Sequence, residues 1–227
     1  YVLASFDYSQ IELRVAALLS QDSYFLQVFK DGKDIHTAVA MKVFGVEEKD
    51  VTHDMRRRAK VINFGILYGM GVNALKTNLG TDRKEAQIFY DNYFAQFPTI
   101  AAYLDSIKNF AKAHGYTETL FGRKRYFPGI KSPLPFIRAM AERMAINAPI
   151  QGTATADIIK IGMNKAHIDL QKSGLLNNVR LVLQVHDELV YEIKEDVLPK
   201  AVEIIKEAMK NAIPAPFLKN LDSVPLE

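Results

Sequence analysis

The stretch VRLVLQVHDELVYEI, residues 179–193, constrains the fold more than any other part of the chain. Two β-type apolar runs, RLVLQV and LVYEI, are joined by His186, Asp187 and Glu188. Apolar, β-branched and aromatic runs around a short polar join are the pattern of a β-hairpin. Three ionisable groups in succession are costly to bury without partners. The join therefore belongs at a surface, or beside groups that satisfy it.

Few other segments read as strands. YVLASF opens the chain without a preceding cap or turn, which is the expectation for a strand cut from a longer protein. IELRVAALLSQD has helical spacing at Ile11, Val15, Leu18 and Leu19. From 34 to 116 the pattern is mostly helical. Gly45 is a C-terminal stop, Asp82 with Glu85 resembles a capping box, and Pro98 and Gly115 bound a further helix. TETLFGRKRYFPGIKSPLP, rich in glycine and proline, reads as a hairpin or loop and is the best candidate for a subdomain seam. Helices follow at 136–147 and from about 153 to 172. After the 179–193 hairpin, a stripe of Val197, Ala201, Ile204, Ile205, Ala208 and Met209 predicts a helix covering a sheet face. Strand, many helices, hairpin and helix make an α+β arrangement.

Composition excludes some classes. No apolar run approaches the ~20 residues of a membrane span, and no secretory leader is visible, so neither membrane nor export is expected. With no cysteine there is neither a disulfide nor a thiolate metal site, which fits a reducing cytoplasm. The net charge of +3 is weak evidence about partners, whereas the local clusters MRRRAK and GRKRY are either solvated faces or nucleic-acid contacts.

Asp7 closes the first strand, and Asp187 lies between the last two. In a shared sheet the two carboxylates can face each other. Such a pair repels unless divalent cations lie between; Mg²⁺, which prefers oxygen ligands and uses one or two carboxylates with substrate phosphates, suits it. The plainer reading is that Asp187 is a turn residue. Arg56, Lys60, Phe64 and Tyr68 recur every fourth residue and form one slowly turning helical stripe. Two cations followed by two aromatics suit a nucleoside triphosphate. A basic turn followed by core aromatics gives the same spacing.

The segments DYSQIELR (7–14), RRRAKVINFGILYG (56–69) and QVHDELV (184–190) resemble motifs A, B and C of the family A DNA polymerases, in order and in approximate spacing. DIHT, TLFGRKRY and ERMAINAPIQGTA also resemble family signatures, so the likeness covers essentially the whole chain. It implies an α+β polymerase palm, with residues 1–14 and 139–227 in the palm, 15–138 forming helical fingers inserted into it, and no thumb. It implies that two Mg²⁺ ions are held by Asp7, Asp187 and the Tyr8 carbonyl, with Glu188 in support. By the same resemblance Arg56, Lys60 and His36 contact the triphosphate. Phe64 lies against the incoming sugar and base and disfavours dideoxynucleotides, Glu12 crowds a ribose 2′-hydroxyl, and Tyr68 stacks near the template base. Gln10, Arg143, Asn147, Gln151 and His186 line the primer-template and nascent pair, where donors can test pair shape through minor-groove acceptors. The implied partners are primer-template DNA and dNTPs, bound by a cytoplasmic monomer.

The chain departs from the family pattern in QGTATADIIK, which is one residue longer than the QGTAADIIK-like form; the extra residue either shifts Gln151 relative to Asp157 or is absorbed as a bulge. Other readings remain open on sequence grounds. His36, His53, Asp54 and a later aspartate such as Asp157 have the types and order of an all-helical His/Asp phosphohydrolase. A non-catalytic, DNA-binding relic of a polymerase would need none of Asp7, Asp187, Lys60 and Glu12. A single-subunit RNA polymerase shares the architecture but is disfavoured by Glu12.

Overall fold

The computed structural model describes residues 1–227. Its larger sheet pairs β1 (Val2–Asp7), β5 (Glu188–Ile193) and β4 (Val179–Val185), all antiparallel, in the order β1-β5-β4. The 179–193 hairpin is therefore present, and β1 pairs with its second strand so that Asp7 lies opposite Glu188. Leu189, Tyr191 and Ile193 alternate into the core, as a half-buried strand requires. β4 differs: it bulges at Val182, and Leu181, Val182, Leu183 and Val185 are exposed.

Helices α1 (Ile11–Ser20), α2 (Ser23–Lys30), α3 (Ile35–Phe44), α4 (His53–Leu67), α5 (Val72–Leu79), α6 (Arg83–Gln96) and α7 (Pro98–His114) follow β1. Asp22, Asp34, Thr52 and Asp82 each cap a helix by accepting a backbone N–H three residues on. The box at Asp82 is half formed: Glu85 turns to Thr81 and Arg58 instead of reaching back. Pro98, lacking an N–H, ends α6 and starts α7 at a position where no donor is needed.

The glycine- and proline-rich segment forms a second hairpin, β2 (Tyr116–Glu118) with β3 (Lys124–Tyr126). Next, α8 (Pro135–Gln151) leads through a π-wound turn, Gly152–Ile158, into α9 (Ile159–Lys172). The stretch that reads as one residue longer than the resembled pattern spans that π turn. α10 (Leu198–Lys210) packs along α9 and puts Ala201, Ile205, Ala208 and Met209 into the core with the sheet residues. One core runs from Phe6 through α1–α7 to Leu226, and a small satellite of Phe127, Ile130 and four alanines lies against the second hairpin.

Candidate active site

β1 ends at Asp7, and the chain turns at once into α1. Arg14, buried, holds that turn by donating to the Ser9 carbonyl at 2.8 Å. Tyr8 is buried beside it, its hydroxyl donating to the Met209 carbonyl at 2.8 Å and its N–H to the Asp187 carbonyl at 3.4 Å. These bonds tie the β1 end to α10 and to the β4–β5 turn and fix where Asp7 and Asp187 stand. Neither carboxylate, nor Glu188, forms an ion pair; Glu188 takes only the Ser5 hydroxyl. Burial, and then the charges of Asp187 and Glu188, push the Asp7 carboxyl above its ordinary value against one backbone N–H. The pair is thus an uncompensated concentration of hard oxygen donors.

α4 supplies the opposite wall. A cleft of about 590 Å³ is lined by Asp7, Tyr8, Gln10, Glu12, His186 and Asp187 on one side and by Arg56, Lys60, Phe64 and Tyr68 on the other, with His36 and Gln151 completing it. The every-fourth-residue stripe therefore faces the carboxylates along its whole length. Asp34, the cap of α3, receives Arg56 in a two-pronged bond at 2.9 and 3.0 Å. Burial raises the Asp34 carboxyl, but the bonds from Arg56 and Thr37 and the guanidinium charge outweigh it and hold it at about 2. Lys60 is exposed and left without a carboxylate. Its neighbours Arg57 and Arg58 are both taken by Asp54.

His36 is buried between α3 and α4, with Nδ1 3.1 Å from the Asn63 amide nitrogen. Burial, aided by Arg56 and Lys60 and opposed by Asp34, depresses it to about 4, so the ring is neutral at pH 7. Tyr68 donates to a Glu12 carboxylate oxygen at 2.6 Å and joins the end of the stripe to α1. Burial raises both groups, and the shared bond raises Tyr68 further while restraining Glu12. Gly69, which follows Tyr68, has φ 65°, and a Cβ there would meet Arg143 Cα at 3.0 Å; α4 ends against α8 only because this residue is glycine.

Three of the expected site residues stand apart from this cleft. Arg143 lines a second cavity between α4, α6, α7 and α8. Asn147 is buried and donates to the Leu67 carbonyl at 3.4 Å. Glu188 is the partner directly opposite Asp7 on the adjacent strand and lies outside the lining. Conversely, Asp34, Ile11 and Thr155 belong to the site or its support and were not anticipated. Asp34 carried a signal, because Asp before an apolar helical run marks a cap that fixes its position near the Arg56 turn. Thr155 carried only its place in the lengthened segment.

The His/Asp phosphohydrolase set does not assemble. Asp54 is engaged by Arg57 and Arg58, Asp157 by Arg123, and His36 by Asn63; no three His, Cys, Asp or Glu side chains converge to hold a metal.

The family model for DNA polymerase family A matches residues 1–227. A thermostable DNA polymerase I of Thermus filiformis is 48% identical over 214 residues, covering 94% of this chain and 25% of the relative. DNA polymerase I of Pseudomonas aeruginosa is 48% identical over 212 residues, 93% of this chain and 23% of the relative. A solved structure, the POL domain of Pol1 from M. smegmatis in complex with DNA primer-template and dNTP, matches with a TM-score of 0.90 and 40% identity, covering 99% of this chain and 38% of that one. The chain spans about a quarter of the length of these two relatives.

Proposed function

The chain belongs to DNA polymerase family A, and from that premise we propose that it carries the nucleotidyl-transfer site of a template-directed DNA polymerase, formed by helical fingers (15–138) and part of a palm (1–14 and 139–227). The observation that carries the reading is the opposition of two unpaired carboxylates, Asp7 and Asp187, to the Arg56–Lys60–Phe64–Tyr68 stripe across one cleft.

Asp7, Asp187 and the Tyr8 carbonyl would hold Mg²⁺; an open set of two carboxylates, completed by substrate phosphates, is how that ion is usually bound. Two such ions, when bound, supply Lewis-acid stabilisation of the attacking and leaving oxygens. The chain's own groups do the rest. Lys60 donates from Nζ to the phosphates, offsetting the charge that gathers on the departing pyrophosphate. Arg56, held at a fixed angle by Asp34, presents its remaining N–H groups to the same phosphates. His36, neutral, contacts them without adding charge. Phe64 covers the sugar and base. Glu12 stands where a ribose 2′-hydroxyl would point, and Tyr68, bonded to Glu12, leaves that position as a template base pairs. Gln10, Gln151 and His186 hold the primer end, so that its 3′-oxygen bonds to the α-phosphorus as the bond to the bridging oxygen breaks. Arg143 and Asn147, outside the cleft, serve the template side of α8.

Primer extension tests this, with the chain alone and with a chimera in which it replaces the matching 26% of the Thermus aquaticus DNA polymerase I, a relative 43% identical across this whole chain. Asp187→Asn is expected to lower extension by at least about a thousandfold, several kcal/mol of lost transition-state stabilisation. Extension by the chimera that survives Asp187→Asn removes the proposed site. Primer-template binding without extension by either form favours the non-catalytic relic.

A further inference from the structure

We infer that the π turn Gly152–Ile158 is a positioning device for Gln151, and that Thr155 is the residue through which it acts; the inference rests on the reading of Gln151 as a contact to the primer-terminal base pair. α8 and α9 would otherwise run as one helix, and π turns are rare and concentrate at functional sites. The α ladder is already interrupted two residues before Gln151, because Pro149, inside α8, has no N–H to give.

One side of the turn is pinned to the second hairpin. A Cβ on Gly152 would come within 2.7 Å of the Thr119 side chain, so backbone meets hairpin with no space between. Thr153 is fully buried, and its hydroxyl accepts the Leu120 N–H at 3.0 Å. Asp157, also buried, accepts from Arg123 at 2.7 Å. These three contacts leave that side no freedom to rotate.

The other side faces the reaction cleft and is made by Gln151 and Thr155. The same two residues also line a side cavity of about 240 Å³ under the hairpin, so they form the partition between the two spaces. The Gln151 side chain is exposed and bonded to nothing in the chain; its direction is set from the backbone. In an α-helix the Gln151 carbonyl would take the N–H of Thr155. A π winding reaches one residue further, and Thr155 instead meets that carbonyl with its side-chain hydroxyl, at 3.0 Å. A threonine hydroxyl bonded four residues back bends the local backbone, which here turns Gln151 toward His186 and Asp187 across the cleft. Thr155 is thus a positioning residue: it acts on the primer terminus through Gln151.

The test titrates the chain with fluorescent primer-template ending in a matched or a mismatched pair, and reads the ratio of the two Kd values. Thr155→Val keeps the shape and removes the hydroxyl, and Thr155→Ser restores it. Thr155→Val is expected to shrink the ratio by about fivefold, the worth of one neutral hydrogen bond, while Thr155→Ser retains it. Gln151→Ala should shrink it equally, with Thr155→Val adding nothing in the double variant, a coupling that a merely structural threonine would not produce. A parental ratio in Thr155→Val, or a loss that adds to that of Gln151→Ala, overturns the inference and leaves the polymerase reading intact. A parent chain with no preference for the matched terminus overturns the Gln151 reading and the inference with it.

Discussion

The two hairpins carry comparable charge and treat it in opposite ways. At β2–β3, Arg123 closes on buried Asp157 at 2.7 Å, and Lys124 pairs with Glu118 at 3.3 Å while lying 4.5 Å from the Tyr116 ring centre. Apart from Arg125, which lies 5.6 Å from the Phe127 ring centre, each ionic group there has found an opposite charge within the chain, and the contacts complete the packing of the π turn and α8. At β4–β5, Asp187 stands near Asp7, with Glu188 opposite Asp7 on the neighbouring strand, and no cation answers them; burial, and then these charges, push the Asp7 carboxyl up. Like charges held together by the fold oppose folding unless something binds them. The contrast separates charge that finishes the structure from charge left open for a ligand, and it does so without reference to any relative.

Paired removals are the strongest way to break that contrast. Arg123→Ala strips buried Asp157 of its partner, and a loss of about 3 kcal/mol is expected, the low end for a buried pair because the guanidinium is half in solvent. Asp187→Asn relieves repulsion and should leave stability unchanged or raise it by up to about 1 kcal/mol. Urea midpoints at constant m-value measure both. A greater loss in Asp187→Asn would mean that the β4–β5 carboxylates are structural after all.

The hairpins also mark what was legible in the sequence. β4–β5 could be read because its period and polar join are local, and the Arg56–Tyr68 stripe because helical spacing is local too. That the stripe faces the carboxylates depends on how α3, α4 and the sheet pack, and spacing alone favoured a basic turn followed by core aromatics; the family likeness turned the reading the other way. Three features escaped. The exposure of β4 depends on what lies beside the sheet, which alternation within one strand cannot report. The Glu85 side chain had two competing partners, Thr81 and Arg58, that a capping pattern does not see. The extra residue at 151–157 was visible, but whether it would displace Gln151 or be wound into a π turn depended on contacts with a hairpin some 30 residues upstream.

The helical wall of the cleft lies between the hairpin extremes, with Arg56 paired, Lys60 open and His36 buried neutral, and acid unfolding sharpens that distinction. His36 is depressed from 6.5 to about 4. As pH falls below 6.5 the unfolded chain takes the proton and the folded chain does not, so stability drops between pH 6.5 and 4 and is unaffected above. By pH 5 the expected cost is about 2 kcal/mol, and His36→Gln should abolish this part of the pH slope. Asp34, held at about 2, acts in a separate window: its contribution is full above 3.8 and is lost only as pH falls toward 2. A slope from pH 6.5 to 5 that persists unchanged in His36→Gln would show that the ring is not the buried neutral group described.

The smallest effect tests the backbone of the open hairpin. Three non-glycine residues have positive φ, and two of them, Gln10 at 55° and His186 at 53°, line the cleft. The left-handed region costs a residue with a Cβ about 1–2 kcal/mol, part of which glycine would return through its greater freedom when unfolded. His186→Gly is therefore expected to raise stability by about 1 kcal/mol or less while weakening primer-template binding, and urea melts with a fluorescence titration read the two separately. The β2–β3 loop supplies the control. Its positive-φ residue is already Gly122, so no strain is held there and none can be released. Strain kept where the charges are open, and absent where they are closed, is what a turn shaped for a ligand requires; a His186→Gly chain that gains no stability, or that binds primer-template as the parent does, would leave the left-handed turn a detail of the hairpin and not part of the site.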